Sequence, residues 1–170
     1  MIDRSFSLRL STWLLLSSML GFPMRGAADP NPKIGRYETD TKKCSYTDST
    51  QDNVDCITLQ LKGRSPSVVA VRLIGHGTTK NSRKQLTFVT LTSQGESPLE
   101  CSTGTCRLDA EAWQSTVSSV AEASFNSSGI ATGLPKAWAA KSGECNLKDR
   151  VLRCRALHFN GEVYQAEAHL

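Results

Sequence analysis

Several familiar sequence signals are absent from this chain, and each absence excludes a class of protein. After residue 28, no apolar run approaches the roughly 20 residues of a membrane-spanning helix, so no membrane span is expected in the mature chain. The C-x-x-C motif of thiol redox sites and zinc sites does not occur. The G-x-S-x-G motif of one class of serine hydrolases is also missing.

Charge of one sign is not in large excess either. The whole chain has 20 basic and 16 acidic residues, and three of the former and one of the latter lie before residue 29. General binding to nucleic acid needs many basic contacts with phosphates, so a nucleic-acid partner is not expected. No motif for a cofactor is present, and none is predicted.

The first 28 residues have the three parts of a secretory signal peptide. Arg4 and Arg9 form a basic start, residues 10–22 form an apolar stretch, and residues 26–28 are small. This stretch is shorter than a membrane-spanning helix, although an uncleaved anchor is the alternative. We therefore predict a signal peptide over residues 1–28 and one globular domain over residues 29–170.

The six cysteines form three close pairs along the chain. An even number of cysteines behind a signal peptide indicates disulfides and a secreted or periplasmic protein. Six cysteines allow 15 pairings, and we favour nearest neighbours because each pair brackets an expected turn. The favoured pairs are Cys44 with Cys56, Cys101 with Cys106, and Cys145 with Cys154. The alternatives, a redox pair at residues 101–106 or a zinc site, lack the usual spacing, and no metal ligands are predicted.

Three segments in the first half of the chain have the pattern of strands. In residues 54–62, Ile57, Leu59 and Leu61 alternate with more polar residues, which predicts a strand with one buried face. Residues 67–74 and 85–92 are rich in β-branched residues, which favour strands. The segment between them, residues 75–84, reads as a long hairpin tip.

One segment has the spacing of a helix. Within residues 108–125, Trp113, Val117 and Val120 recur at helical intervals, and Asp109 is suited to cap the start. Residues 126–129 would end this helix. Residues 130–143 are predicted to be irregular, with a single helical turn at residues 136–140.

The last 21 residues predict a hairpin, and the pattern chooses its register. A two-residue turn at Asn160–Gly161 would mix apolar and charged residues on one face. A three-residue turn instead puts Cys154 and Ala166 on one face and pairs Arg153 with Glu167 on the other. We predict the three-residue turn.

Together these elements predict an α+β fold. The expected architecture is a curved antiparallel β-sheet of at least five strands, stapled by disulfides, with one amphipathic helix packed across it.

The hairpin tip at residues 75–84 is the segment most like a ligand site. Its glycines would let the backbone approach a ligand closely. His76, Lys80, Arg83 and Lys84 could bind an anion, a glycan or an acidic protein surface. The alternative is a hairpin tip that its charges merely keep soluble and unpaired.

The sequence therefore predicts a secreted, non-catalytic binding or interaction module whose ligand or partner is unknown, rather than an enzyme. One alternative is a small secreted hydrolase that uses His76 with a neighbouring carboxylate. Another is an envelope-associated protein that needs a partner to cover Trp138. Asn126 begins a glycosylation triplet, which matters only in a eukaryotic secretory pathway.

Overall fold

The computed structural model describes residues 33–93 and 96–170. The predicted signal peptide, residues 1–28, lies outside them. Within these ranges the chain has eleven β-strands and no helix. The strands are β1 (Gly35–Asp40), β2 (Lys43–Thr47), β3 (Asn53–Ser65), β4 (Val68–His76), β5 (Arg83–Leu91), β6 (Leu99–Ser102), β7 (Thr105–Leu108), β8 (Ala112–Phe125), β9 (Ala131–Lys148), β10 (Val151–His158) and β11 (Val163–His169). No helix in these ranges is long and apolar enough to cross a membrane.

Eight of the strands close into an antiparallel barrel. Their order around the barrel is β3, β4, β5, β8, β9, β10, β11 and β2. The barrel closes where β2 pairs with the first part of β3, from Ser45 opposite Asp55 to Thr47 opposite Asn53. The rest of β3 pairs with β1, which carries the β6–β7 hairpin at its outer edge. Closure leaves none of the eight strands with a fully free edge.

Alternation along each strand fills the barrel with apolar side chains. Leu59 and Leu61 of β3 lie opposite Leu73 and Val71 of β4, which in turn lie opposite Leu86 and Phe88 of β5. All six side chains are fully buried or nearly so. The barrel therefore encloses a packed core over most of its length.

The two ends of the barrel are built differently. At one end, here called the loop end, lie four hairpin loops, residues 48–52, 77–82, 126–130 and 159–162. At the opposite end, here called the closed end, the long connection from β5 to β8 carries the β6–β7 hairpin, and Leu99 and Trp113 are buried there. The loop end is therefore where several loops can act on one ligand.

The predicted helix over residues 108–125 is wrong, because this segment contains strand β8. Trp113, Ser115 and Val117 alternate inward, and a bulge then shifts the register between Thr116 and Ser119. The bulge turns Val120 inward as well. The inward residues Trp113, Val117 and Val120 are therefore four and three positions apart, which is the spacing expected of a helix. Strand pairing with β5 on one side and β9 on the other decides the conformation.

Because the predicted helix is a strand, the predicted α+β fold class is also wrong. The protein is all-β, and the sheet is closed rather than merely curved, with no helix across it in the described residues. Residues 130–143, predicted to be irregular with a helical turn, belong to strand β9. A second bulge around Gly133 and Pro135, opposite Ala123, hides the strand pattern there. The proline sits in this bulge, where no ladder hydrogen bond is required of it.

Another local prediction fails for the same kind of reason. Ile57 was expected to be buried with Leu59, but it is 43% exposed while Cys56 faces inward. A bulge in β3 between Cys56 and Thr58 reverses the alternation at this point.

The C-terminal hairpin confirms the predicted register. Cys154 lies opposite Ala166, and Arg153 lies opposite Glu167 with 2.8 Å between the arginine Nε and a carboxylate oxygen. The turn leaves three residues between His158 and Glu162, and Gly161 has a φ of 94°. That left-handed conformation favours glycine, which is why the turn ends there.

Three disulfides join neighbouring strands, in the nearest-neighbour pairing that the sequence favoured. Cys44–Cys56 joins β2 to β3, Cys101–Cys106 joins β6 to β7, and Cys145–Cys154 joins β9 to β10. The described residues include no free cysteine. Such a set is typical of an oxidising environment outside the cytosol.

Candidate functional site

The four basic residues of the predicted loop site are not brought together. His76 and Arg83 lie opposite each other on the outer side of the β4–β5 hairpin, and both are exposed. Lys80 is exposed in the turn. Lys84 alternates to the other side and points into the loop end of the barrel. Only Lys84 therefore takes part in the concave site described below.

The glycines of that loop serve the fold rather than a ligand. A Cβ at Gly75 would lie 2.3 Å from the carbonyl oxygen of Asp55, so its absence lets β3 and β4 approach. A Cβ at Gly77 would lie 2.2 Å from the Ser82 hydroxyl, which orders the turn by accepting from the Thr79 N–H. Close approach of the backbone is thus used within the chain itself.

Among the described residues, His76 has no partner of the kind that the hydrolase hypothesis requires. Its side chain makes no hydrogen bond or ion pair with any residue in the described ranges, carboxylates included. A catalytic histidine is normally oriented by such a partner. The distinguishing feature of that hypothesis is therefore missing from the described part of the chain.

A cavity of about 220 Å³ opens at the loop end, and we call it the mouth cavity. Residues distant in sequence come together around it because the barrel is closed. They are Tyr46, Asp48, Ser49 and Thr50 near β2, Lys84 and Gln85 of β5, Glu122, Ala123 and Ser124 of β8, and Thr132, Leu134 and Lys136 of β9. Four of these side chains carry charge, two of each sign, above a core that is otherwise apolar.

Asp48 anchors one side of the mouth cavity. The residue is 6% exposed, and its carboxylate accepts hydrogen bonds from the Thr50 N–H and hydroxyl and from Lys84 Nζ at 3.3 Å. Burial alone would raise the pKa of Asp48, but the hydrogen bonds from Thr50 and Lys84 outweigh it and lower the pKa. Asp48 is therefore a charged, fixed part of the wall.

Tyr46 places a phenol beneath the cavity. Ser45 and Thr47 face outward on β2, so the alternation turns Tyr46 into the barrel, where it is 2% exposed. Its hydroxyl has no hydrogen-bond partner among the described residues. Burial, and then the nearby charges of Asp48 and Glu122, raise the pKa of Tyr46, so the phenol stays neutral.

Glu122 and Lys136 face each other across β8 and β9 on the inner side of the barrel. The Glu122 Oε1 atom accepts a hydrogen bond from the Ser49 N–H, which ties the 48–52 loop to β8. Lys136 is exposed and forms no ion pair or hydrogen bond with the described residues, although its charge is near enough to Glu162 to help lower the pKa of that carboxyl. The cavity therefore presents one carboxylate with spare acceptor capacity and one unpaired ammonium group.

Aromatic side chains of β9, β10 and β11 pack against one another near the mouth cavity. Trp138 stacks on Tyr164 with 5.1 Å between the ring centroids and meets His158 edge-on. The indole of Trp138 is thus half-buried against side chains of its own chain. The most exposed large apolar side chains of the described residues belong to segments at the loop end, namely Leu134 at 92%, Phe159 at 68% and Ile130 at 64%.

A second, larger concavity of about 640 Å³ lies on the outer face of β2, β11, β10 and β9. Of its charged lining residues, which are Lys43, Glu144, Arg153, Arg155 and Glu167, only Arg153 and Glu167 form an ion pair with each other. Arg153 and His169 both contact Glu167, at 2.8 and 2.7 Å. Because this groove lies on the outer face of the strands rather than among the loops, it is the weaker candidate.

Two other predicted features have defined places. Asn126 stands at the tip of the β8–β9 hairpin, where its Oδ1 accepts from the Ser128 and Ile130 N–H groups. Over residues 33–93 and 96–170, no group of three or more histidine, cysteine, aspartate or glutamate side chains is placed to bind a metal ion.

Sequence reasoning found one member of the mouth cavity and missed the others. Tyr46 and Asp48 lie within the polar run of residues 45–53, which the sequence predicts to be a loop although β2 extends to Thr47, and Glu122 lies in the segment predicted to be a helix. The only available signal was charge at inward strand positions, which becomes visible once the bulges are known. No protein-family model matches this chain, and no curated protein or solved structure was found to be similar to it.

Proposed function

We propose that this protein is a non-catalytic binding module, exported to the periplasm or the extracellular medium, that binds a small polar ligand in the mouth cavity. The observation that carries the proposal is the Tyr46 hydroxyl, a buried polar group without a partner in the described residues, beneath a cavity lined with charges. Leaving such a group unpaired costs about 1–3 kcal/mol, which a ligand atom that bonds to it would offset.

Two features of the loop end support this proposal. Loops held by a rigid scaffold are common carriers of binding sites, and here the scaffold is a closed, disulfide-linked barrel. The cavity is smaller than the roughly 300–1,000 Å³ typical of drug-sized ligands, so the ligand is small or enters only in part. Export is supported by the signal-like start of the chain and by the three disulfides.

The test is to map binding on the oxidised mature chain by NMR. A panel of anionic, cationic, zwitterionic and neutral small molecules is titrated, and amide shifts are followed. We expect at least one class to move the amides of Ser49, Thr50 and Lys136 and to leave the closed end unchanged.

Two variants make the test specific. Tyr46→Phe removes only the unpartnered hydroxyl and should weaken binding, whereas Tyr37→Phe, on β1 outside the barrel, should not. If no class moves the amides around the mouth cavity at millimolar concentrations, the proposed function is wrong.

A further inference from the structure

The mouth cavity holds charges of both signs that are not all used within the chain. Asp48 and Lys84 pair with each other at 3.3 Å, which leaves Glu122 and Lys136 as the groups open to a ligand. These two face each other on the inner side of β8 and β9 without forming an ion pair. One negative and one positive group are therefore available a short distance apart.

The hydrogen-bonding capacity of these groups is also of both kinds. One Glu122 oxygen is engaged by the Ser49 N–H, so the other is free to accept from a ligand. Lys136 offers N–H donors and no acceptor. The buried Tyr46 hydroxyl has no partner among the described residues, and as a phenol it is protonated at neutral pH, so it can donate to a ligand oxygen that reaches it.

A ligand with a single charge would match only half of this arrangement. A simple anion would be attracted by Lys136 but repelled by the neighbouring Glu122. A simple cation would be attracted by Glu122 but repelled by Lys136. Like charges brought together in a partly desolvated site are costly, whereas complementary charges on both sides favour binding. The net charge of the four ionised groups is zero, so they favour neither sign overall.

We propose that the mouth cavity binds a small zwitterion, with its ammonium group on Glu122 and its anionic group on Lys136 and the Tyr46 hydroxyl. This inference rests on the proposed function and names its ligand class. Leu134, 92% exposed at the rim, would contact an apolar substituent of the ligand. A free amino acid and a zwitterionic lipid headgroup share the required chemistry, and the experiment distinguishes these two sources.

The experiment compares ligands that differ by one charged group. L-leucine is titrated by calorimetry and NMR against isocaproate, which lacks the ammonium group, and isoamylamine, which lacks the carboxylate. We expect leucine to bind at least about tenfold more tightly than either, since each analogue loses one charge-assisted contact. Glycerophosphoethanolamine, a phosphodiester zwitterion, is the second arm, and tighter binding of this compound than of leucine assigns the site to a lipid headgroup.

Variants of the mouth cavity test the assigned contacts. Glu122→Gln and Lys136→Gln should each reduce leucine affinity about tenfold, and Tyr46→Phe about three- to tenfold. Lys141→Gln, an exposed lysine of β9 outside the cavity, is the matched control and should have no effect. Thermal melting of each variant verifies that the barrel is still folded.

The outcomes separate this inference from the proposed function. If isocaproate or isoamylamine binds the cavity as tightly as leucine, the ligand is not a zwitterion, although the mouth cavity remains a binding site. If neither leucine nor glycerophosphoethanolamine binds at millimolar concentrations, the inference is overturned even where another class binds. If no class binds, both proposals fail.

Discussion

Asp48 shows at the residue scale how a single side chain shapes the loop end. Its carboxylate fixes the 48–52 turn through Thr50 and fixes the β5 lysine Lys84 through an ion pair. A buried carboxylate without these bonds would be costly, and with them it stabilises both the loop and the cavity wall. Such a role is invisible in a polar stretch of sequence, where any aspartate looks like a solvated one.

The lowered pKa of Asp48 predicts a stability that depends on pH. A group whose pKa is lower when folded stabilises the protein above its ordinary pKa, about 3.9, and this contribution disappears as the pH falls through the lowered value. We expect Asp48→Asn to lower the free energy of unfolding by about 1–2 kcal/mol at neutral pH. The difference from the unsubstituted protein should shrink below about pH 4.

Urea unfolding of both proteins between acidic and neutral pH checks this prediction. Asp55→Asn, on the exposed outer face of β3, is the control and should cost less than about 0.5 kcal/mol. A constant difference between Asp48→Asn and the unsubstituted protein at every pH would show that its charge is not what stabilises the loop.

At the scale of elements, the bulges decide which strands the sequence reveals. Strands β4, β5, β10 and β11 alternate without interruption over most of their length, and their positions and the C-terminal register could be predicted. Strands β8 and β9 carry bulges that change the face of the following residues, and there the pattern misleads. A bulge depends on pairing with the neighbouring strands, so the residue pattern within the strand itself does not predict it.

The mouth cavity was largely unpredictable for a related reason. Its members Tyr46, Lys84, Glu122 and Lys136 come from four different strands, and only the closure of β2 onto β3 sets them around one opening. Charged residues at these positions look like exposed ones until the inward face of each strand is known. Lys84 was predicted to lie at a site because it belongs to a visibly basic hairpin.

Strand β8 permits a direct test of its orientation. Val120 points into the core and is 2% exposed, while Ala121 points outward between Thr87 and Ala137. We expect Val120→Glu to prevent folding because it buries an unpaired carboxylate, and Ala121→Glu to cost less than about 1 kcal/mol. A helix with both residues in its apolar stripe would tolerate neither.

Circular dichroism and thermal melting of the two variants are sufficient for this comparison. Equal loss of folding in Ala121→Glu and Val120→Glu would contradict the strand orientation described here. The two substitutions introduce the same side chain at adjacent positions, so each serves as the control for the other.

At the scale of the whole molecule, closure of the barrel depends on a short seam. Only three residue pairs join β2 to β3, from Ser45–Asp55 to Thr47–Asn53, and the Cys44–Cys56 disulfide lies directly beside them. The same strand β2 carries Tyr46 and leads into Asp48. The seam therefore couples the stability of the barrel to the shape of the mouth cavity.

Removal of the Cys44–Cys56 disulfide should reduce stability and ligand binding more than removal of the Cys101–Cys106 disulfide. The Cys44→Ser/Cys56→Ser variant is expected to lose about 2–3 kcal/mol of unfolding free energy and to weaken ligand binding at the mouth cavity. The Cys101–Cys106 disulfide closes a smaller loop in the β6–β7 hairpin, away from the cavity. The Cys101→Ser/Cys106→Ser variant, which lacks it, should therefore leave binding unchanged. Calorimetric melting and leucine titration measure the two effects, and equal loss of binding in both variants would argue against the coupling.

The two ends of the barrel also differ in the surroundings of their tryptophans, and so in tryptophan fluorescence. The described residues contain two tryptophans, Trp113 buried at the closed end and Trp138 half-buried beside Tyr164 close to the mouth cavity. Their indoles sit in separate surroundings, so the intrinsic fluorescence of the chain combines a signal from each end. A spectral change in Trp138 alone would report events at the loop end without a label, and a change in both would report unfolding.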